Sequence, residues 1–340
     1  MAAIEIGLAA RARGLATHLV SREALASLAE ADDLGTFVRG LSRLGAAIDP
    51  IGEPPDVFAV ERAVGRTASR HLRTLYRWQE RTPGVLDMFA ARQDRHSLRA
   101  LLRGAVQGAP PAARLEGLLP TPTLPQLALA ELARQPSPAA VVQQLLLLSH
   151  PDAPRLLTVV RQAQVDLLAV DTALLLGFAD RATRVADGGD EPLRQFVGAL
   201  IDTGNAQNAL VLAGEPVEGD RARLFVRGGR WLSASTFLSI AAAGSQQRAW
   251  AALRTAVANS PLASWLPIAA GGADHVDRLV LGAALEQLGR AARVEPMSSA
   301  PVLRVLLLIE AQTRDLRALA WGAALGAPPS LRRQELVTPT

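Results

Sequence analysis

Apolar residues recur at helical spacing along almost the whole chain. Over residues 33–45, Leu34, Phe37, Val38, Leu41 and Leu44 form one stripe. Just before it, Ser21, Glu23, Leu25 and Leu28 give a helix start followed by its buried face over 21–31. The same reading predicts long helices over 57–81 and 85–108, ended by Thr-Pro-Gly at 82–84 and Gly-Ala-Pro-Pro at 108–111. A long amphipathic stretch covers 149–186, with Pro154 near its start. Another helix covers 193–213, with Pro192 suited to its first turn. No long run alternates apolar and polar with period two, so the chain is predicted to be all-α. Only 221–233, with Gly228-Gly229 as a turn, reads as a hairpin-like extended piece.

One pattern occurs twice. Residues 97–119, SLRALLRGAVQGAPPAARLEGLL, align without a gap to 315–337, DLRALAWGAALGAPPSLRRQELV, and share twelve of twenty-three positions. A blurred copy lies between them at 193–219, with Asn205 placed 108 residues after Ser97 and 110 before Asp315. Near the N-terminus, residues 9–28 look like a truncated further copy of the half that follows the motif. A period near 109 residues is domain-sized and far longer than a solenoid repeat of roughly 20–50 residues. Three helical units in tandem, each burying the same face against its neighbour, predict a pseudo-threefold arrangement. The corresponding segments are 1–115, 116–225 and 226–340.

Composition narrows the function classes. The 340 residues contain 49% hydrophobic and only 4% aromatic side chains, with no cysteine and no lysine. Without cysteine there is no disulfide, thiol nucleophile or cysteine-type zinc site. Without lysine there is neither a Walker A loop nor a Schiff base. The pI of 10.8 stands beside a net charge of only +4 because little titrates between histidine and arginine. The arginines are interspersed with Asp and Glu, as on solvated helix faces, and do not predict nucleic-acid binding. Glu5 stands where a signal peptide would be basic. The apolar stretches 141–148, 167–179 and 301–311 fall short of the roughly 18–20 residues of a membrane span. A soluble, cytoplasmic chain is expected.

Candidate chemistry is sparse. His18, His71, His96, His150 and His275 lie in different segments, and none belongs to an HExxH pattern. Asp32-Asp33 has no partner carboxylate one turn on, 187–192 lacks the ligand alternation of an EF-hand, and no GxGxxG follows a strand. Trp78, Trp231, Trp250, Trp265 and Trp321 read as core residues. No catalytic residue, metal, cofactor or small-molecule substrate is predicted, and the chain reads as one that acts by contact.

Taken in order, QDRHSLRALLRG (93–104), LRQFVGALIDTGNAQNALVLAG (193–214), FVRGGRWLS (225–233) and IEAQTRDLRALAWGAALGAPPSLRRQELV (309–337) resemble the C subunit of the V-type and A-type ATPases (ATP synthases). This family is the prokaryotic counterpart of the d subunit of the eukaryotic V-ATPase. The arginine-rich start at 9–19 is similar as well. Ala206-Gln207 depart from the family's Leu-Arg, and Ser97 and Asp315 stand where Asn is frequent.

The resemblance implies three similar helical domains around a funnel, and no enzymatic activity. It implies a rotor component on the cytoplasmic face of the membrane that joins central-shaft subunits D and F to the proteolipid ring and carries torque for ion transport. Under that reading, loops at equivalent places line one mouth of the funnel. Their candidate contact residues are Gly108, Pro110, Pro111, Glu215, Pro216, Pro328 and Pro329. Gly228, Gly229 and Arg230 of the Gly-Gly-Arg-aromatic loop and Arg332 of the tail complete the set. A helical adaptor of the same fold is the alternative, and an all-α enzyme with scattered carboxylates and arginines a more distant one.

Overall fold

The computed structural model describes residues 3–44, 51, 54–78, 84–161, 164–214, 220–265 and 276–339. It is 73% helical with no strand among the described residues, so the fold is all-α. In chain order the helices are α1 (Ala3–Ala16), α2 (Arg22–Leu28), α3 (Leu34–Arg43), α4 (Val57–Tyr76), α5 (Val85–Val106) and α6 (Pro111–Leu115). There follow α7 (Gln126–Ala133), α8 (Pro138–Leu147), α9 (Ala153–Val160), α10 (Leu167–Asp187) and α11 (Glu191–Gly214). After a 3-10 turn at Arg221–Leu224 come α12 (Ala234–Ala241), α13 (Gln246–Val257), α14 (Leu262–Trp265), α15 (Val276–Val294), α16 (Ala300–Ala324) and α17 (Pro329–Gln334).

The order of elements repeats three times: a pair of short helices, followed in the second and third copies by one further short helix (α9, α14), and then two long ones. The short pairs are α2–α3, α7–α8 and α12–α13, and the long helices that follow are α4–α5, α10–α11 and α15–α16. Local chemistry sets the starts. The second short helix of each pair is capped by a side chain at the equivalent position: Asp33 accepts from Thr36 N–H, Ser137 from Ala140 N–H and Ser245 from Arg248 N–H. Asp56 and Asp166 do the same for α4 and α10. The cap at Asp166 also divides the expected 149–186 stretch into α9 and α10.

Contacts gather the chain into two compact units, residues 1–82 with 271–340 and residues 83–270. In the second unit, α5 packs against α7, α8 and α10, and α11 packs against α12 and α13. In the first, α16 packs against α2, α3 and α4. C-terminal α16 therefore receives the N-terminal short pair. The stretch at 9–28 that looked like a further copy contributes to the second half of the last repeat.

The cores agree position by position. Leu98, Leu101, Leu102 and Ala105 of α5 correspond to Leu316, Leu319, Ala320 and Ala323 of α16, each 218 residues on, and all are buried. From the short pairs, Leu124, Leu129, Leu132, Val141 and Leu145 correspond to Val20, Leu25, Leu28, Phe37 and Leu41, each 104 residues earlier. The same positions around α11 are Leu232, Phe237, Ile240, Ala249 and Leu253, also buried. Where one repeat places Phe, another places Val or Ala. Total volume is conserved less strictly than the pattern of burial.

Two sequence expectations are corrected. Residues 221–233 form a 3-10 turn and a loop, not a hairpin, because their N–H groups bond to side chains of α11 instead of to each other. Among the tryptophans, Trp78 is half-exposed, with the Arg11 guanidinium 3.8 Å over its ring. Trp321 is a packing residue. It stands edge-on to Phe58 at 5.2 Å and donates its indole N–H to Glu61. Trp265 and His275 lie outside the residues whose side chains are described.

Candidate functional site

Each of α5, α11 and α16 carries two buried polar side chains three residues apart, on one helix face. They are Asp94 with Ser97, Asp202 with Asn205, and Gln312 with Asp315. A buried polar group is costly unless it is hydrogen-bonded, so its partners reveal its role. In every repeat at least one member of the pair holds chain that arrives from elsewhere in the sequence.

On α11, the Asp202 carboxylate accepts from the backbone N–H groups of Arg230 and Trp231, both at 2.8 Å, and of Leu232 at 3.3 Å. One turn away, the Asn205 amide pairs in both senses with the Val226 peptide: its Nδ2 donates to the carbonyl at 2.8 Å and its Oδ1 accepts from the N–H at 2.9 Å. On α16, Asp315 accepts from Val337 N–H at 2.8 Å and Thr338 N–H at 2.9 Å, while Gln312 Oε1 accepts from Val20 N–H at 2.6 Å. On α5, Asp94 accepts from the hydroxyls of Thr121 and Thr123, and His150 Nε2 lies 3.5 Å from its Oδ2. Burial pushes the Asp202 and Asp315 carboxyls above the ordinary carboxylate range, against the opposing pull of the N–H donors.

Two further devices accompany the clamps. An arginine bonds the carbonyls at the C-terminal end of the first short helix. Arg114 donates to Gln135 O, Arg221 to Ala241 O and Arg332 to Ala31 O, at 2.6–2.7 Å. In two of the three pairs an open groove runs between the helices. In the N-terminal pair its lining includes Ser27, Arg39 and Arg43, and in the α12–α13 pair it includes Ser239, Ala251 and Thr255, which are the equivalent positions. The α7–α8 pair carries Glu131, Gln143 and Leu147 at the equivalent positions, and Leu147 is 79% exposed. The two grooves thus differ in chemistry, charge in one and hydroxyl in the other, and the equivalent face of α7–α8 presents leucine.

The expected contact residues divide between these devices and the surface. Gly108 and Gly326 take φ +66° and +68°, and close matching Schellman turns in which Ala109 N–H reaches Gly104 O and Ala327 N–H reaches Gly322 O. Pro110, Pro111, Pro328 and Pro329 follow them, and both Gly-Ala-Pro-Pro loops are at the surface. Gly228, at φ +108°, and Gly229 let the loop approach α11; a Cβ on Gly229 would stand 1.8 Å from Asp202 Oδ1. Arg230 is partly exposed and pairs with Glu191 at 3.0 Å. Arg332 is buried and turned inward to Ala31. Glu215 and Pro216 lie outside the described residues.

Sequence reasoning aligned Ser97, Asn205 and Asp315 but missed that all three are buried and that Asn205 and Asp315, with Asp94, Asp202 and Gln312, are clamps. The available signal was a polar residue at i and i+3 within an otherwise apolar helix face. No group of three or more metal-ligating side chains gathers among the described residues, and no described helix is long and apolar enough to cross a membrane.

Comparison with known proteins places the sequence in a family. A family model described as ATP synthase (C/AC39) subunit matches residues 8–335. The chain is 31% identical over 181 residues to the C subunit of a V-type ATP synthase from Thermus thermophilus, an alignment covering 52% of this chain and 54% of the relative. It therefore spans about half the length of that relative. The C subunit of an A-type ATP synthase from Halorubrum lacusprofundi is 24% identical over 326 residues, covering 92% of this chain and 88% of the relative. Its counterpart from Haloferax volcanii is 29% identical over 150 residues, covering 42% and 41%.

Proposed function

The chain belongs to the ATP synthase (C/AC39) subunit family, and from that premise we propose that it is a non-catalytic coupling component of a V/A-type ATP synthase. In this role it joins the central shaft, subunits D and F, to the proteolipid ring at the cytoplasmic face of the membrane. It transmits torque between ATP turnover and ion transport. The observation that carries the reading is the threefold recurrence of one packing unit, with its clamps in every copy. A coupler has to resist shear between parts that are distant in sequence, and these buried bonds resist it.

The proposed three-part arrangement follows the repeats, the last of them closed by the N-terminal short pair. Torque passes through many modest contacts, since a single exposed ion pair contributes only about 0–1 kcal/mol. The surface Gly-Ala-Pro-Pro loops and the two unlike grooves, with the leucine-bearing face of α7–α8, suit distributed contact of that kind. Because these faces differ, a partner can seat in one orientation only.

The test is reconstitution. A membrane ATP synthase purified through a tag on this chain should contain shaft and ring proteins. Removing the chain should leave ATP hydrolysis by the soluble part intact while abolishing ion pumping. A tagged chain that copurifies with no ATP synthase component would refute the proposal and favour an adaptor.

A further inference from the structure

Helices α15 and α16 lie side by side, and Arg304 of α16 crosses α15 at Gly289, where an added Cβ would stand 3.3 Å from the Arg304 Nε. That Nε is buried and has no hydrogen-bond partner among the described residues. Its charged neighbour is another arginine, Arg293, and burial together with that like charge lowers the Arg304 pKa. Several other partly buried arginines are paired with a carboxylate, Arg99 and Arg103 with Asp171, Arg181 with Asp152 and Arg278 with Glu335, while Arg114, Arg221 and Arg332 bond carbonyls. The Nε atoms of Arg103 and Arg332 are likewise buried without a partner among the described residues, so what sets Arg304 apart is that its guanidinium has neither carboxylate nor carbonyl. Only the Nε is withdrawn from water, and Arg304 as a whole is half-buried. Its terminal nitrogens, which have no carboxylate partner among the described residues, are the ones shaped to receive a carboxylate from outside in a two-pronged contact.

The surroundings resemble a contact centre more than a solvated corner. Val294 is 79% and Met297 49% exposed, at the turn between the two helices and beside Arg293. Arginine next to exposed aliphatic and thioether side chains is a typical anchor composition at protein interfaces.

We propose that this corner is a docking point for a protein partner that presents a carboxylate side chain to Arg304 and Arg293 and packs an apolar neighbour on Val294 and Met297. Exposed Glu295 sits between the two exposed apolar residues. It would repel a broad anionic surface such as a lipid bilayer, whereas one carboxylate placed over Arg304 avoids it. The inference uses the family reading only in taking the partner to belong to the same complex.

Because the chain has no cysteine, Val294→Cys gives a single reactive thiol at an exposed position. Attached to a benzophenone maleimide and irradiated in the purified complex, it should crosslink to another protein of the complex at a peptide containing Asp or Glu. Arg304→Met should weaken retention of the full chain in the complex by roughly ten-fold in a salt-wash titration, the loss expected for one charge-assisted contact. Arg304→Lys should restore part of it, and melting curves of the isolated variants should match the parent.

Crosslinking only to lipid, or Arg304-dependent binding to phosphatidylglycerol vesicles, would overturn the inference in favour of a membrane contact. A complex that assembles with no adduct at residue 294 and no effect of Arg304→Met would overturn it while leaving the coupling role standing. Failure of the parent chain to assemble at all would instead remove the family-based reading.

Discussion

Asp315 on α16 accepts hydrogen bonds from the backbone N–H groups of Val337 and Thr338, which closes the C-terminal segment onto the helix it left. Asp202 does the same on α11 for three N–H groups, those of Arg230, Trp231 and Leu232. Asp315→Ala and Asp202→Ala each strand buried donors. Each should destabilise the protein by about 3 kcal/mol, Asp202→Ala the more severely, as measured by urea unfolding. Equal stability of variant and parent would mean that water replaces the carboxylate.

The same carboxyls set a pH dependence. Both have folded values above the ordinary 3.8, because burial disfavours the charged form. A raised carboxyl contributes its stability in full below the unfolded value and loses it as pH rises through the folded one. The advantage of the parent over Asp315→Asn should therefore be largest in acid and shrink towards neutral pH. Unfolding free energies measured for both proteins at several pH values check this. An advantage that grows with pH would show that the N–H donors outweigh burial.

Gly326 takes φ +68°, a conformation that a β-carbon disfavours. Gly326→Ala should cost about 1 kcal/mol and Gly326→Asn less, and Gly108 should behave alike because its turn is the same. Gly322→Ala acts differently. Its new methyl would meet the Arg332 side chain at 2.7 Å and disturb the bond to Ala31 O. Thermal melts of the three variants separate strain from displacement.

Removal of residues 1–44 should unfold far more than the helices it deletes. Leu316, Leu319, Ala320 and Ala323 of α16 pack in one core with Val20, Leu25, Phe37 and Leu41. Hydrogen exchange in the truncated chain should show α16 and α4 unprotected, with α5, α7, α8 and α10 still protected. Protection of α16 would indicate that the N-terminal pair is dispensable.

Leu147 is exposed on α8, at the position equivalent to Arg43 and Thr255 of the two grooves. Leu147→Arg should change stability by no more than about 0.5 kcal/mol. If this face is a contact surface, the same change should lower occupancy of the chain in the purified complex, read by densitometry against the other components. Full occupancy would exclude this face from the interface.

Much of the fold is legible in the sequence because helical periodicity and stop signals are local. Ser21, Asp33, Asp56 and the two Gly-Ala-Pro-Pro loops start and end helices where sequence alone places them. The repeat is legible for the same reason: Leu98 to Ala105 and Leu316 to Ala323 write one face twice. The clamps are not, because the partners of Asp202 lie about 28–30 residues away and no periodicity couples them. Residues 221–233 mislead because a Gly-Gly pair suits a hairpin turn and a close backbone approach equally well. Only Asp202 beneath Gly229 separates the two.

Residue type and short-range spacing suffice to make this protein helical, threefold in its writing and without the groups for thiol, lysine or nucleotide-loop chemistry. Which half-copies belong together is a matter of tertiary packing alone. Packing set the N-terminal pair on C-terminal α16, turned Arg332 inward to Ala31, and left the Arg304 Nε without an acceptor among the described residues. These outcomes depend on which groups meet after the chain has closed, when burial makes every unmet hydrogen bond costly.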